Sequence, residues 1–141
     1  MKIMTINEYG GSLFRGKRKS DHKWIEGYLY RISEKLDPFI MLKDSKGESY
    51  EVDPETVGPF TGKTLNGKNI FVGDIIRSHE DHDDICGFTV HDTFSSVVIW
   101  DKEHFCFAFK TNDYIQAFDD WEWSGSEKIG NIHDDPDLIE E

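Results

Sequence analysis

Apolar and polar residues alternate with a period of two over several short stretches. Trp24 to Ile32 is the strongest case. Trp24, Glu26, Tyr28, Tyr30 and Ile32 fall on one face of a strand, with Ile25, Gly27, Leu29 and Arg31 on the other. Gly27 inside such a run marks a bulge or a close backbone approach. A shorter strand is expected over Leu13–Lys17, with a turn at Ser20-Asp21-His22. Phe39–Lys43 and Glu48–Val52 flank Asp44-Ser45-Lys46-Gly47, which reads as a hairpin with glycine in the left-handed position. Glu34–Pro38 is expected to be a loop.

The centre of the chain is dominated by turn chemistry. Asp53 followed by Pro54 is a helix start, but Gly58-Pro59 stops it, so a single 3₁₀ turn is expected, with Val57 and Phe60 plugging into the core. Thr61-Gly62 and Asn66-Gly67 read as further turns. Ile70–Val72 approaches a strand, Gly73 interrupts it, and Asp74 is placed to bond to turn backbone before Ile75–Arg77. His79–Asp84 reads as a polar loop. Strands are then expected at Cys86–His91, Val97–Trp100 and Phe105–Phe109, joined at 92–95 and 101–103, with Phe105, Phe107 and Phe109 on one core face. Tyr114–Trp123 suits a strand or a helical turn, Ile129–Ile132 a last strand, and Asp134–Leu138 a capped turn. The pattern predicts a mainly β protein: an N-terminal antiparallel sheet of hairpins joined to a C-terminal SH3-like or bent small barrel, with few short helical turns.

Composition supports strands, with ten Phe, five Tyr and four Trp. No apolar run approaches the roughly 20 residues that a helix needs to span a bilayer, and no signal peptide is read at the N-terminus. A cytoplasmic protein without a membrane partner is expected. Cys86 and Cys106 lack paired spacing and read as small buried hydrophobes in strands.

The net charge is −12, unevenly spread. Residues 1–35 hold eight Lys and Arg against four acids, a balance of +4, so the remainder carries −16. A chain this acidic does not attract nucleic acid through its overall field. Only Arg15, Lys17, Arg18 and Lys19 form a patch that would touch phosphate. His79, His82 and Asp83 are the metal candidates, because imidazoles three apart among carboxylates suit a divalent ion. A solvated acidic loop explains the same residues. Neither cysteine has an adjacent base, and no Gly-x-Ser-x-Gly or phosphate-binding loop occurs, so no catalytic residue and no cofactor are assigned. Asp119–Trp123 reads either as a buried alternation or as an acidic-aromatic contact patch.

Several blocks in order carry a resemblance. They are Phe14-Arg15-Gly16-Lys17, Trp24, Gly27-Tyr28-Leu29, Val52 to Gly62, Asn66 to Ile75, and Ile129 to Leu138. Together they resemble the YopX family of small phage and prophage proteins. Residues 1–12, ending at Gly10-Gly11-Ser12, are read as a partly ordered lead, and 13–141 as a single domain similar to this family. Within it, an N-terminal lobe spans 13–69, a barrel-like lobe 70–133 and an acidic tail 134–141. The family is expected to be β-rich, with no assigned activity and no catalytic residues to transfer. Its shared residues, among them Asp53, Pro54, Gly58, Gly62, Gly67, Gly73 and Asp74, sit at turns and read as structural. The expected function is a non-enzymatic interaction module for a host or phage protein, with homo-oligomers as a further form. The alternatives are a nucleic-acid accessory protein using residues 15–19 and a metal-dependent enzyme at 79–84.

Overall fold

The computed structural model describes residues 13–33, 39–111, 114–118, 123 and 125–139; the side chains of 80–82, 90 and 91 lie outside that description. Strands make up 62% of it, no helix reaches seven residues, and there are two sheets, one of them curled into a half-barrel. Two compact units are distinguished, Met1–Phe60 and Thr61–Glu141.

The first unit contains β1 (Leu13–Lys17), β2 (Trp24–Ser33), β3 (Phe39–Lys43), β4 (Ser49–Val52) and the start of β5 (Gly58–Leu65). Their antiparallel order is β4-β3-β2-β1-β5. The core is Phe14, Leu29, Leu42 and Val52, with Ile25, Ile32, Ile40 and Val57 packed against it. Gly27 faces Phe14 across the β1–β2 ladder, and a Cβ there would lie 2.5 Å from the Lys43 carbonyl oxygen. The backbones of β2 and β3 therefore meet where only glycine fits. A bulge between Leu29 and Arg31 then shifts the alternation. Ile32, expected beside Tyr28 and Tyr30, instead joins the core with Leu29, and Tyr30 and Arg31 both stand exposed.

The Asp53 cap forms as its sequence dictates. Its carboxylate accepts from the Glu55 N–H at 3.2 Å, opening the 3₁₀ turn Pro54–Thr56. Thr56 is buried, and its hydroxyl accepts from the Lys17 N–H at 2.9 Å, tying the turn to β1. Val57 reaches the core as expected, and Phe60 is half-buried.

The second unit continues β5 beside β6 (Lys68–Phe71), with Asn66 and Gly67 at positive φ closing a two-residue hairpin. Gly62 is not a turn. It lies inside β5 with φ +86°, a local break within a continuing strand. A five-stranded sheet follows in the order β10-β9-β8-β7-β11. Its strands are β7 (Asp74–Asp83), β8 (Thr89–Asp101), β9 (Cys106–Lys110), β10 (Ile115–Ala117) and β11 (Glu127–Asn131). Ile70, Ile76, Val98 and Phe109 form its core. Phe118 stacks on Phe109 at 4.6 Å, and the Trp123 indole meets both rings edge-on at 5.1 and 5.2 Å. Trp123 is thus partly buried against the core, while Asp119–Glu122 lie outside the described residues. A final 3₁₀ turn spans Pro136–Ile139.

Three expectations for this region are corrected. The 79–84 loop and the breaks at 92–95 do not exist, because β7 and β8 run as strands of ten and thirteen residues, paired from Ile75–Val97 to Asp83–Thr89. Both outer segments are polar without apolar alternation, which is why a period-two signal missed them. Phe105 is not a core residue. The turn after Asp101 extends through it, leaving it 80% exposed at φ +53°, and β9 starts one residue later. Cys86 is exposed in a turn and Cys106 half-buried, so neither is a core hydrophobe.

Gly27→Ala is expected to cost about 2 kcal/mol, since the new methyl meets backbone that cannot retreat. Gly67→Ala, with open space around it but a left-handed φ, is expected to cost about 1 kcal/mol. Urea denaturation at constant m measures both, and equal midpoints for the two variants would refute the close approach.

Candidate interaction surfaces

The β7–β8 hairpin outgrows its sheet. β11 pairs with β7 only over Asp74–Arg77, and β9 pairs with β8 only over Val97–Asp101. Among the described residues, the two strands between Ser78 and Phe94 pair only with each other as a ribbon. The register sets Glu80 opposite Asp92, and a two-stranded ribbon without further strands is marginal by itself. The ribbon is anchored at its base, where Ser78 and Ser126 share a buried hydroxyl contact of 3.0 Å. Nearby, the fully buried Asp74 carboxylate accepts from the Phe71 N–H at 2.8 Å and from Lys128 Nζ at 3.2 Å.

The ribbon's tip is the same turn as the β3–β4 hairpin. Asp44 Oδ1 accepts from the N–H groups of Lys46 and Glu48, both at 3.0 Å, and Gly47 has φ +84°. Asp84 Oδ1 accepts from Cys86 and Phe88 at 2.8 and 2.9 Å, and Gly87 has φ +83°. Main-chain bonds match too: Gly47 N–H to Asp44 C=O and Gly87 N–H to Asp84 C=O are both 3.1 Å. Only the remaining side chains differ. Ser45, Lys46 and Glu48 are replaced by Ile85, Cys86 and Phe88, with Ile85 104% and Phe88 72% exposed. The Asp-x-x-Gly spacing shared by 44–47 and 84–87 is the signal that locates this tip in the sequence.

The metal candidates lie on this ribbon. His79 Nδ1 contacts the Thr93 hydroxyl at 3.0 Å, Asp83 accepts from the Thr89 hydroxyl at 3.3 Å, and the His82 side chain is outside the described residues. Among the described residues no three His, Cys, Asp or Glu side chains converge as metal ligands.

The basic segment is distributed over rings and carboxylates. Arg15 is buried, its guanidinium 4.7 Å from the Trp24 ring centre, and Lys17 lies 5.4 Å from the same ring. Arg18 grips Asp21 with Nε and Nη2 and lies 4.9 Å from the Tyr50 ring; Lys19 pairs with Glu51 at 2.8 Å. The Arg18 contact holds the Asp21 carboxyl below its ordinary range. Glu48, accepting the Tyr50 hydroxyl at 2.5 Å, raises that phenol.

The outer face of the first sheet adds an exposed aromatic surface not expected from the sequence. Tyr28 and Tyr30 are about half exposed beside exposed Arg31, and the Lys43 ammonium sits 4.4 Å over the Tyr30 ring. The bulge that displaces Ile32 inward builds this cluster.

In the second unit an open cavity of about 520 Å³ lies beside the β8–β9 turn, lined among others by Trp100, His104, Cys106 and Ile115. Asp101 accepts from the Glu103 N–H at 3.0 Å and from His104 Nδ1 at 2.7 Å. The structural residues of the central stretch all act on backbone: Asp53 as cap, Pro54 as first residue of the 3₁₀ turn, Gly58 in the β1–β5 ladder, Gly62 and Gly67 at positive φ. The Gly73 N–H bonds to the Val98 carbonyl and its own carbonyl accepts from Ile132, while Asp74 caps the Phe71 turn. Among the described residues no helix is long and apolar enough to cross a membrane.

His104 holds the Asp101 carboxyl below its ordinary 3.8, chiefly through the hydrogen bond to its side chain. A depressed carboxyl contributes stability above its unfolded pKa, and the contribution is lost as pH falls through the folded value. His104→Ala is expected to return Asp101 toward 3.8 in an NMR pH titration, and an unmoved titration would show that His104 is not the cause.

No curated protein and no solved structure matches the chain. The family described as YopX protein matches residues 13–140, nearly the whole of both units. The chain belongs to the YopX family.

Proposed function

We propose that this YopX protein is a non-enzymatic interaction module, a phage or prophage accessory protein that acts in the bacterial cytoplasm and grips a protein partner with the β7–β8 ribbon. One observation carries the reading. The chain builds the same turn twice, with Ser, Lys and Glu at the first and Ile, Cys and Phe at the second. The polar version makes the same turn without apolar side chains, so the turn geometry does not call for them. Two large apolar groups held in water at the end of a projecting ribbon cost solubility and serve contact with a partner. Nucleic-acid binding through Arg15, Lys17, Arg18 and Lys19 gains no support from cations engaged on rings and carboxylates.

The test writes the first turn into the second: Ile85→Ser, Cys86→Lys and Phe88→Glu together, which leaves net charge unchanged. Thermal stability is expected to stay within about 0.5 kcal/mol of wild type, as for exposed positions elsewhere. Affinity capture from cells that carry the phage or prophage, and so also hold untagged copies of this chain, with wild type and variant side by side, is expected to lose its specific partner in the variant. Identical captured proteins would refute the ribbon tip as the contact.

A further inference from the structure

We infer that the occupant of the ribbon tip is a second copy of this chain, seated on the aromatic outer face of the first sheet. This rests on the reading of the ribbon as an interaction element and names its partner. The two surfaces are complementary in charge. Ser78 to Phe94 contains Glu80, Asp81, Asp83, Asp84 and Asp92 and no Lys or Arg. The receiving face carries Arg31 and Lys43 beside the tyrosines, against Glu26 and against Glu51, which Lys19 neutralises at 2.8 Å. They are complementary in shape of contact as well. Ile85 and Phe88 project from a rigid turn, while Tyr28 and Tyr30 present flat rings at about half exposure. Phe88 and Ile85 cover those rings, and the Asp83 and Asp84 carboxylates meet Lys43 and Arg31.

The bulge at Tyr30 serves this face directly. Without it Arg31 would turn inward and Ile32 outward; with it two successive residues, an aromatic and a cation, reach solvent together. Lys43 over the Tyr30 ring then shifts to an arriving carboxylate without leaving the site. Tip-to-tip association is disfavoured, because each ribbon brings five carboxylates to the other. The contact is therefore head-to-tail, and repetition either closes a ring or extends a filament. The tip is small against standard interfaces, so each contact is weak, concentration-dependent and weakened by salt.

Sedimentation velocity decides the matter with two variants, Ile85→Ser/Phe88→Ser at the tip and Tyr28→Ser/Tyr30→Ser on the face. Wild type is expected to associate with rising concentration. Each variant alone is expected to associate about tenfold more weakly or less. An equimolar mixture of the two is expected to form heterodimers and stop there, since only one complementary pair of surfaces survives. Should the face variant fold poorly, Lys43→Glu replaces it, and Asp83→Lys in the second protein is expected to restore the contact. A wild type that stays monomeric at every concentration, or a mixture of folded variants that stays monomeric, overturns the proposal. If wild type is monomeric while the tip variant still loses a captured host protein, the ribbon is an interaction element for a different partner.

Discussion

The fully buried Asp74 carboxylate is the constraint on which the second unit depends. It joins the backbone of the Phe71 turn to β7 and, through Lys128, to β11; the same ammonium also donates to the Asn69 carbonyl at 3.3 Å. A charge this buried is tolerable only with such partners, and removing one leaves the other desolvated. The gain is positional. Gly73 beside it bonds to the Val98 and Ile132 backbone, so β6, β7, β8 and the end of β11 are fixed around a single turn. The ribbon's two strands leave the sheet from that fixed base. A finger without flanking strands holds its direction only if its root is rigid.

The central stretch thus acts as a frame. Its Asp, Pro and Gly residues shape backbone through caps and turns. Exposed chemistry lies elsewhere, at the ribbon tip and on the β2–β3 outer face, and each is produced by a local device. At the tip the device is an Asp-capped turn. On the outer face it is a bulge in β2.

Local rules made much of this legible. The Asp44–Gly47 hairpin, the Asp53 cap, the Asn66-Gly67 turn and the first three strands follow from turn chemistry and alternation. The ribbon escaped because alternation reports a boundary between core and water, and 79–83 and 89–93 carry no apolar alternation in sequence. The same polar run made His79–Asp84 read as a loop. Phe105 misled for the opposite reason: aromatic alternation suggested a core strand, while the Asp101 turn held its backbone outside it. The Tyr28–Tyr30–Arg31 face depends on one extra residue in β2, and nothing in local composition fixes where a bulge falls. The repeated Asp-x-x-Gly was present in the sequence all along, and comparing its two occurrences exposes the apolar tip.

The central claim is that the ribbon is held at its base and offers its tip to another copy. Hydrogen exchange read by mass spectrometry at low and high protein concentration tests it most directly. The account predicts strong protection at 75–77 and 96–98 at both concentrations. It predicts weak protection along 79–93 at low concentration, and new protection at high concentration in both 84–88 and 28–31. Identical exchange in these two segments at every concentration would contradict it.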